Sequence, residues 1–336
     1  MGVSRSPSEA PLSHDSVRCD TFDAATATWT LRSYAAVSGA LASSALTAGH
    51  EPPATTIRNT IRAAAREIFP ASRLAAWRNQ LASSATDLFA SLPTATPIDL
   101  MEAFARPWSF DLAMTALRLP RSFAETSDLF GLASTIFRDA ALSATGQPSA
   151  ATLSAATALA IALANNSTER VIDVQSFVAL SQTLPHFISA AWHALLTQPD
   201  QVYVWRTLDD KSTAVDELLR FAGPSRAVFR TARASVQLGE ATILTGQHVV
   251  LMLADANRDA RVFPDPDRLE LRRDASRHLA FGAGPHVCVG GPIVCVALEV
   301  ATNALASWIT DSTTSSSVEW LDGFAIRAPS SLLVTL

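Results

Sequence analysis

The chain has very little lysine, few cysteines and no long hydrophobic run. Lys211 is the only lysine, so all other basic side chains that are charged at neutral pH are arginines. The net charge of −5 offers no basic surface for a nucleic acid, and no nucleic-acid partner is expected. Three cysteines, Cys19, Cys288 and Cys295, are too few and too widely spaced for a disulfide framework, which favours a reducing cytoplasm.

Signals for export or for membrane insertion are also missing from the sequence. The stretch from Met1 to Asp15 is polar and lacks the apolar centre of a signal peptide. The most apolar candidate for a membrane span, Ala155 to Ala164, is short and rich in small residues. We therefore expect a cytoplasmic protein that has no membrane partner.

The sequence is rich in apolar residues that follow helical patterns. Hydrophobic residues make up 48% of the chain and charged residues 17%, which is enough apolar material for a sizeable core in one large domain or two. The longest helical pattern, Val171 to Thr197, is apolar on most faces, and Pro185 within it predicts a kink or a local loosening. From Arg226 onward the pattern changes to short strands. The sequence therefore predicts a mainly α fold with a minor β region.

One cysteine lies in a loop that suits a metal-binding sulfur. Residues 281–290 read Phe-Gly-Ala-Gly-Pro-His-Val-Cys-Val-Gly, and an apolar run begins at Gly291. Glycines allow the backbone to pass close to a flat partner. A thiolate at the start of a helix is stabilised by nearby N–H groups and by the helix dipole. The loop predicts a buried metal bound by the single sulfur of Cys288, for example haem iron, and the alternative is a structural cysteine in a glycine-rich turn.

These ten residues resemble the haem-binding loop of the cytochrome P-450 family. The family pattern is Phe, two residues, Gly, three residues, Cys, one residue, Gly, and Phe281, Gly284, Cys288 and Gly290 fill its fixed positions. The resemblance implies a P-450 fold, haem b as the cofactor, and Cys288 as the axial metal ligand. It also implies that Phe281 and Gly290 belong to the cofactor site.

A second motif of the family lies upstream of the cysteine loop. Glu217 and Arg220 form a Glu-x-x-Arg pair, whose spacing puts both side chains on one helix face where they can form an ion pair. In the family this pair is joined by an arginine of a later irregular segment. The stretch 263–268, Phe-Pro-Asp-Pro-Asp-Arg, resembles that segment, so Arg268 is the expected third partner. The trio is expected to support the cysteine loop and to have no catalytic role.

The propionate groups of haem need cations or hydrogen-bond donors. His286 and Arg230 match the propionate-contacting histidine and arginine of the family. The His-x-x-x-Arg motif of the family corresponds here to Arg58 and Arg62, and an arginine can bind a carboxylate in place of the histidine. An exposed arginine stripe is an equally good interpretation of Arg58.

The segment that activates oxygen in the family is altered in this chain. Residues 179–183 read Ala-Leu-Ser-Gln-Thr where the family has Ala-Gly-x-acid-Thr. Thr183 is retained, whereas Leu180 replaces the small glycine and Gln182 replaces the acid. Glutamine forms hydrogen bonds but does not titrate, so the expected proton-handling pair of Thr183 and Gln182 puts ordinary hydroxylation in question. Alternatively, both side chains only satisfy backbone groups near Pro185.

The resemblance begins at about residue 26 and runs to the C-terminus. Residues 1–25 are predicted to be a mobile lead-in, and residues 26–336 a single haem-thiolate domain. Relative to the family, the N-terminal extension is trimmed and the region from Gly146 to Val171, which should form the lid of the distal pocket, is shortened. A shorter lid implies a more open pocket for a large or carrier-tethered substrate.

The leading hypothesis is a haem-thiolate monooxygenase that acts on a small or medium apolar biosynthetic metabolite and receives electrons from ferredoxin and ferredoxin reductase. The substrate side is expected to be formed by Ala179, Leu180, Val228 and Phe229. The alternative is a haem-thiolate enzyme without reductive oxygen activation, which uses peroxide or catalyses a rearrangement, dehydration or cyclisation. A third hypothesis is a non-catalytic P-450-like auxiliary protein, and the intact cysteine loop argues against it.

Overall fold

Helices form most of the structure, a computed structural model that describes residues 20–48, 70–93, 96–120, 128–165, 174–310 and 313–335. The first helices are α1 Tyr34–Ala42, α2 Ala71–Ala90, α3 Met101–Ala105 continuing as Arg106–Ala116, α4 Leu129–Leu142 and α5 Ala150–Asn165. The central helix α6 comprises Val174–Val178, a π-helical turn Ala179–Thr183 and Leu184–Leu196. The remaining helices are α7 Pro199–Thr207, α8 Ser212–Ala222, α9 Leu253–Ala256 and α10 Gly291–Trp308.

The strands form three sheets of five, three and two strands within the described residues. They are β1 Thr21–Asp23, β2 Thr28–Leu31, β3 Leu46–Thr47, β4 Ile98–Asp99, β5 Ala227–Ala232, β6 Val236–Leu238, β7 Ala241–Ile243, β8 His248–Met252, β9 Thr314–Asp322 and β10 Arg327–Thr335. The sheet orders are β1-β2-β8-β5-β3, β4-β10-β9 and β6-β7. The predicted mainly α fold with a minor β region is therefore confirmed.

The five-stranded sheet has a different apolar cluster on each face. Leu31, Val249 and Leu251 belong to one cluster together with Val37 and Leu41 of α1. On the opposite face, a smaller cluster contains Ala227, Val250 and Met252 and is packed by Phe229. Because side chains alternate along a strand, the sheet separates two sides of the molecule.

The central helix α6 runs through the main core, and every residue from 184 to 192 is buried. The loosening that Pro185 predicts is confirmed, because the N–H of Leu184 donates to the carbonyl of Ala179 in a π-helical turn. Proline has no N–H to donate, so the regular hydrogen-bond ladder cannot run through this point. In the described residues α10 is the helix that is long and apolar enough to cross a membrane, and its apolar stretch is 61% buried, as in a core helix.

The start of the fold differs from the sequence prediction. Strand β1 lies at 21–23, inside the stretch 1–25 that was expected to be a lead-in. Residues 1–19 lie outside the described part of the chain. The strand forms because Thr21 to Asp23 pairs with β2 in an antiparallel hairpin, an arrangement that the polar composition did not indicate.

A buried ion pair connects α8 to the irregular chain that precedes the cysteine loop. Arg220 donates from Nε and Nη2 to the two carboxylate oxygens of Glu217, at 2.7 and 2.9 Å. Neither side chain is accessible to solvent. Arg220 Nη1 also donates to the backbone carbonyls of Asn257 and Pro266, both at 2.9 Å. The pair therefore holds three separate parts of the chain together.

The third member of this cluster is Arg273, so the prediction of Arg268 is wrong. Arg273 Nε donates to Glu217 Oε1 at 3.1 Å. The side chain of Arg268 is 68% exposed and lies 3.9 Å from Glu270. Arg268 takes part only through its backbone carbonyl, which accepts from Arg273 Nη2 at 3.2 Å. The chain turns at Asp265, where φ is +48°, before the arginine side chain that reaches Glu217.

Substitutions in this cluster should separate the two arginines. We expect Glu217→Gln to lower the free energy of unfolding by about 3–5 kcal/mol, because it leaves the buried Arg220 without its counter-charge. Arg273→Ala should cost about 1–3 kcal/mol through the lost hydrogen bonds. Arg268→Ala should change stability by less than about 0.5 kcal/mol. Urea denaturation measures all three, and equal losses for the two arginine variants would contradict the assignment of Arg273.

Candidate functional site

The cysteine loop, residues 281–290, is fixed at its ends and at its centre. The N–H of Cys288 donates to the carbonyl of Phe281 at 2.9 Å. Gly284 has φ +66°, and a Cβ atom there would lie 2.6 Å from the carbonyl oxygen of Leu41 in α1. Only glycine allows the loop to pack this closely against α1. The loop therefore holds Cys288 directly before the N-terminus of α10.

The Cys288 sulfur has the environment of a metal-binding thiolate. Its side chain is accessible, yet the protein encloses it enough that burial raises the pKa of its thiol. The N–H groups of Gly290 and Gly291 donate hydrogen bonds to the sulfur, and these bonds lower that pKa. Both N–H groups lie at the start of an 18-residue helix, whose dipole also favours an anion. One soft sulfur with two amide donors fits a thiolate-ligated haem iron.

No second kind of metal site competes with this sulfur in the described residues. Within those ranges there is no group of three or more His, Cys, Asp or Glu side chains that could hold a metal ion. The other described cysteine, Cys295, is half-buried, and burial raises the pKa of its thiol to about 12. Cys288 is therefore the better thiolate ligand of the two.

Strand β5 places Arg230 on the same side of the sheet as the cysteine loop. Val228 and Arg230 alternate onto the face that packs on α1, and the cysteine loop contacts the same helix. Arg230 is buried, and its Nη1 donates to the carbonyl of the preceding residue at 2.8 Å. His286 ends the short helical turn of the loop, two residues before Cys288. The structure thus brings Cys288, His286 and Arg230 to one side of the sheet, and their contacts with haem stay predictions.

The residues of the π-helical turn of α6, which correspond to the oxygen-activating segment of the family, differ in how far they are buried. Ala179 is exposed and Thr183 is half-buried, and they lie one turn apart on the helix. Gln182 is 5% exposed, and among the described residues its Nε2 has no hydrogen-bond partner. Leu180, which was expected on the substrate side, is instead 4% exposed within the main core. The turn packs against α3, and Leu180 belongs to the same apolar core cluster as Leu112 and Met114 of that helix.

His186 lies next to this turn and was not singled out in the sequence. Its Nδ1 is 2.7 Å from the carbonyl oxygen of Gln182, and because a carbonyl can only accept, Nδ1 carries the proton. The ring is 4% exposed and stacks on Phe137 of α4, with 4.6 Å between centroids. Burial lowers the pKa of His186 to about 4, the bond to Gln182 opposes this, and Arg106 adds to it. A neutral imidazole therefore ties the turn to the next part of α6.

Phe229 and Val228, which were predicted for the substrate side, both line one cleft. The Phe229 ring stacks on Phe324, with 6.0 Å between centroids, and a Cβ atom on Gly146 would lie 2.5 Å from it. Phe229 lines a cleft of about 1000 Å³ between the sheet and α4, and Arg230 lines it too. Val228 contributes to the wall of the same cleft, but its side chain belongs to the other face. Neighbouring residues of a strand point to opposite faces, and the role of both residues on the substrate side stays a prediction.

Two of the predicted haem contacts cannot be located. Arg58 and Arg62 lie outside the described residues, and their roles stay predictions. Cys19 also lies outside the described residues.

The comparison with protein families identifies this arrangement. The family model described as cytochrome P-450 matches residues 212–305, which include the Glu-x-x-Arg pair, β5 and the cysteine loop. This part of the chain matches the cytochrome P-450 family. The match implies a haem cofactor, and the donor set at Cys288 agrees with it.

Bacterial relatives show the similarity at the level of sequence. The cytochrome P-450 monooxygenase PikC of Streptomyces venezuelae is 41% identical over 132 residues, which are 38% of this chain and 31% of the relative. The 6-deoxyerythronolide B hydroxylase of Saccharopolyspora erythraea is 39% identical over 119 residues, 35% of this chain and 30% of the relative. The sequence match therefore spans about a third of the length of these curated relatives.

Solved structures extend the similarity to nearly the whole chain. The versatile cytochrome P-450 enzyme CYP109B1 from Bacillus subtilis superposes with a TM-score of 0.79 at 20% identity, covering 94% of this chain and 95% of that one. P-450 BioI in complex with an acyl carrier protein ligated to hexadec-9Z-enoic acid gives 0.78 at 20% identity, covering 92% of both chains. At this identity the likeness shows the fold alone, so the predicted P-450 fold is confirmed.

His186 should make the stability of the protein sensitive to acid. Its pKa is about 4 in the folded chain against an ordinary value of 6.5, so at low pH the unfolded chain takes up the proton first. Stability should be unaffected by this group above pH 6.5 and should fall as the pH drops toward 4, by up to about 3 kcal/mol. The free energy of unfolding in urea, measured between pH 7 and pH 4, should fall less steeply for His186→Asn. The asparagine amide can still donate to Gln182 but does not titrate.

His248→Asn is the matched control for this measurement, because His248 is exposed on β8. It should follow the pH dependence of the wild type. Identical pH slopes for the wild type and His186→Asn would contradict the burial of a neutral imidazole.

Proposed function

We propose that the chain is a cytoplasmic haem-thiolate monooxygenase that oxidises a small or medium apolar biosynthetic metabolite. The observation that carries the proposal is the Cys288 sulfur, which receives two amide N–H groups at the start of α10 and lies on the same side of the sheet as Arg230 and His286. Haem b bound through this thiolate would supply oxygen-activating chemistry, because the sulfur pushes electron density toward O–O cleavage. The names of the two bacterial relatives, a monooxygenase and a hydroxylase, support the same class of reaction.

The residues around Cys288 would bind and orient the cofactor. Phe281 packs on the start of α10, where a Cβ on Gly291 would lie 3.3 Å from its ring, and so it fixes the wall beside the sulfur. Arg230 and His286 would donate to the propionate carboxylates, and Arg58 and Arg62 would complete that set. Arg230 is buried, and its planar guanidinium can bind a carboxylate through two parallel hydrogen bonds.

Thr183 and Gln182 would handle protons on the side of α6. The Thr183 hydroxyl can both donate and accept a hydrogen bond, whereas the Gln182 amide can hold a water but cannot release a proton. Proton transfer would therefore run from solvent through Thr183, past Ala179, which is the exposed residue of the turn. General-acid help from a carboxylate is worth about 10²–10⁴ in rate, and this chain has none at that position.

Gln182 also favours a second candidate function. A buried amide with an unpartnered donor suits an enzyme that needs no delivered proton. Such an enzyme would use peroxide or would catalyse a rearrangement, dehydration or cyclisation. A non-catalytic auxiliary role is the third candidate, and the complete cysteine loop weighs against it.

Ferredoxin and ferredoxin reductase are the proposed electron donors, binding near the cysteine loop. The proposed substrate is a free small molecule or one tethered to a carrier. The carrier is proposed because one structural neighbour was solved with a ligated acyl carrier protein.

The axial ligand is tested by two cysteine variants. The reduced wild type with carbon monoxide should show the thiolate Soret band, and Cys288→Ser should lose this band because a serine hydroxyl is not a thiolate donor. Cys295→Ser is the matched control, since Cys295 is the half-buried cysteine of α10. It should keep the band and bind haem stoichiometrically. A thiolate band that persists in Cys288→Ser refutes the ligand assignment.

The two candidate chemistries are separated by restoring the acid. With NADPH, ferredoxin and reductase, Gln182→Glu should lower the hydrogen peroxide released per NADPH by at least about tenfold, because a carboxylate can deliver protons. Gln182→Leu, which is similar in size and has no proton to give, should show no such gain. Turnover of the wild type with peroxide alone that matches or exceeds NADPH-driven turnover would favour the second candidate.

A further inference from the structure

The π-helical turn 179–183 is the least regular part of the central helix α6. The N–H of Leu184 donates to the carbonyl of Ala179, five residues back in place of the usual four. Pro185 has no N–H, so the carbonyl of Ser181, four residues before it, receives no regular helical bond. Backbone hydrogen bonds therefore hold this turn less firmly than the rest of the helix, and side chains have to contribute to its shape.

Two side chains supply hydrogen bonds on the two sides of the turn. On the N-terminal side, the Ser181 hydroxyl donates to the carbonyl of Phe177 at 2.7 Å. On the C-terminal side, the His186 ring donates from Nδ1 to the carbonyl of Gln182, also at 2.7 Å. Ser181, Gln182 and His186 are at most 5% exposed, so water competes little for these bonds. Of the two bonds, the one from His186 acts on a residue that is expected to handle protons.

The imidazole of His186 is held in place by α4. Its ring stacks on Phe137, with 4.6 Å between centroids and 28° between the planes. Phe137 is 4% exposed and belongs to the main core, where close packing leaves the stacked pair little room to move. Ile136 and Ala140, which flank Phe137 on α4, line the cleft between this helix and the sheet. His186 therefore connects the turn to a helix that forms one wall of the cleft.

The backbone at residue 182 determines where two functional side chains point. The rotamers open to a side chain depend on its backbone dihedral angles, so a change at the Gln182 carbonyl would move its amide group and the adjoining Thr183 hydroxyl. A misplacement of about 1 Å caused by a residue away from the chemistry can cost about a hundredfold in rate. Because Gln182 cannot release a proton, its contribution depends on where its amide group lies.

We propose that His186 is a positioning residue for this chemistry, whose imidazole fixes the π-helical turn that carries Gln182 and Thr183. It does so by donating to the Gln182 carbonyl, and through Phe137 it joins the turn to α4. The chemical meaning of this inference rests on the proposed function, whereas the hold on the turn can be measured without turnover. The position needs a donor that reaches one turn back, which histidine and asparagine have and leucine lacks.

Amide hydrogen exchange of the haem-loaded protein, followed by mass spectrometry on peptides that cover residues 179–184, tests the hold on the turn. His186→Leu should raise the exchange rate of the turn about fivefold, because one hydrogen bond is lost. His186→Asn keeps the donor and should exchange within about twofold of the wild type. His193→Leu is the matched control, since His193 lies two turns further along α6 and contacts Trp320 instead. It should exchange as the wild type does.

Two results of this measurement would overturn the inference. One is an exchange rate in His186→Leu that equals that of the wild type, and the other is exchange in His186→Asn that is as fast as in His186→Leu. Phe137→Leu removes the stacking and keeps the histidine, so it should raise the exchange rate about threefold, and it serves if His186→Leu does not fold. Unchanged exchange in Phe137→Leu would refute the link to α4.

The positioning role is tested in combination with the acid variant. With NADPH, ferredoxin and reductase, Gln182→Glu lowers the hydrogen peroxide per NADPH by at least about tenfold if the proposed function is correct, and adding His186→Leu should reduce this gain to less than about threefold. Adding His186→Asn should preserve it. An equal gain in both double variants refutes the positioning role. If Gln182→Glu alone has no effect, the proposed proton handling fails, and the exchange rates still decide whether His186 holds the turn.

Discussion

The contact on which the cysteine side of the molecule depends is the buried pair of Glu217 and Arg220. The chain from Asn257 to Ala280 contains no long helix or strand, so some of its backbone groups take their partners from side chains. Arg220 supplies bonds to the carbonyls of Asn257 and Pro266, and Glu217 accepts the backbone N–H of Glu270 at 3.0 Å. A guanidinium with five donors can fix several chain segments at one point. The cysteine loop follows directly from this fixed segment and inherits its position.

The five-stranded sheet divides the remaining chemistry between two sides. Arg230 and Phe229 are neighbours in β5, and their side chains alternate between the face that packs on α1 and the face that carries Val250. The alternation that separates them is a property of every strand. A change in the register of β5 by one residue would therefore exchange the residues on the two sides at once. Close pairing of β5 with β8 over five residues prevents this slip.

Much of the fold and the centre of the site could be predicted from the sequence, because they depend on local patterns. The helical periodicities, the loosening at Pro185 and the cysteine loop each lie in one short stretch. Arg273 was missed because the segment contains three arginines, Arg268, Arg272 and Arg273, and the sequence does not distinguish them. The backbone turn at Asp265 brings Arg273 to Glu217. The face of β5 on which α1 packs could not be predicted, because α1 lies far from β5 in the sequence.

His186 shows a signal that could have been used. A histidine one residue after a helix-interior proline, four residues after Gln182, is placed to donate to a carbonyl one turn back. The burial of its ring depends on stacking against Phe137 of α4. This contact joins two distant parts of the sequence, so it could not be inferred from residue spacing.

The parallel pairing of β2 with β8 joins two segments that are about 220 residues apart, and Trp29 Nε1 donates to Gln247 Oε1 across the same gap. Contacts of such high sequence separation form slowly, since the entropy of closing a long loop must be overcome before any pairing energy is gained. Most of the intervening chain can form its helices from local contacts before the two ends meet. Residues of both strands line the cleft between the sheet and α4, so this surface is complete only once the long-range pairing has formed.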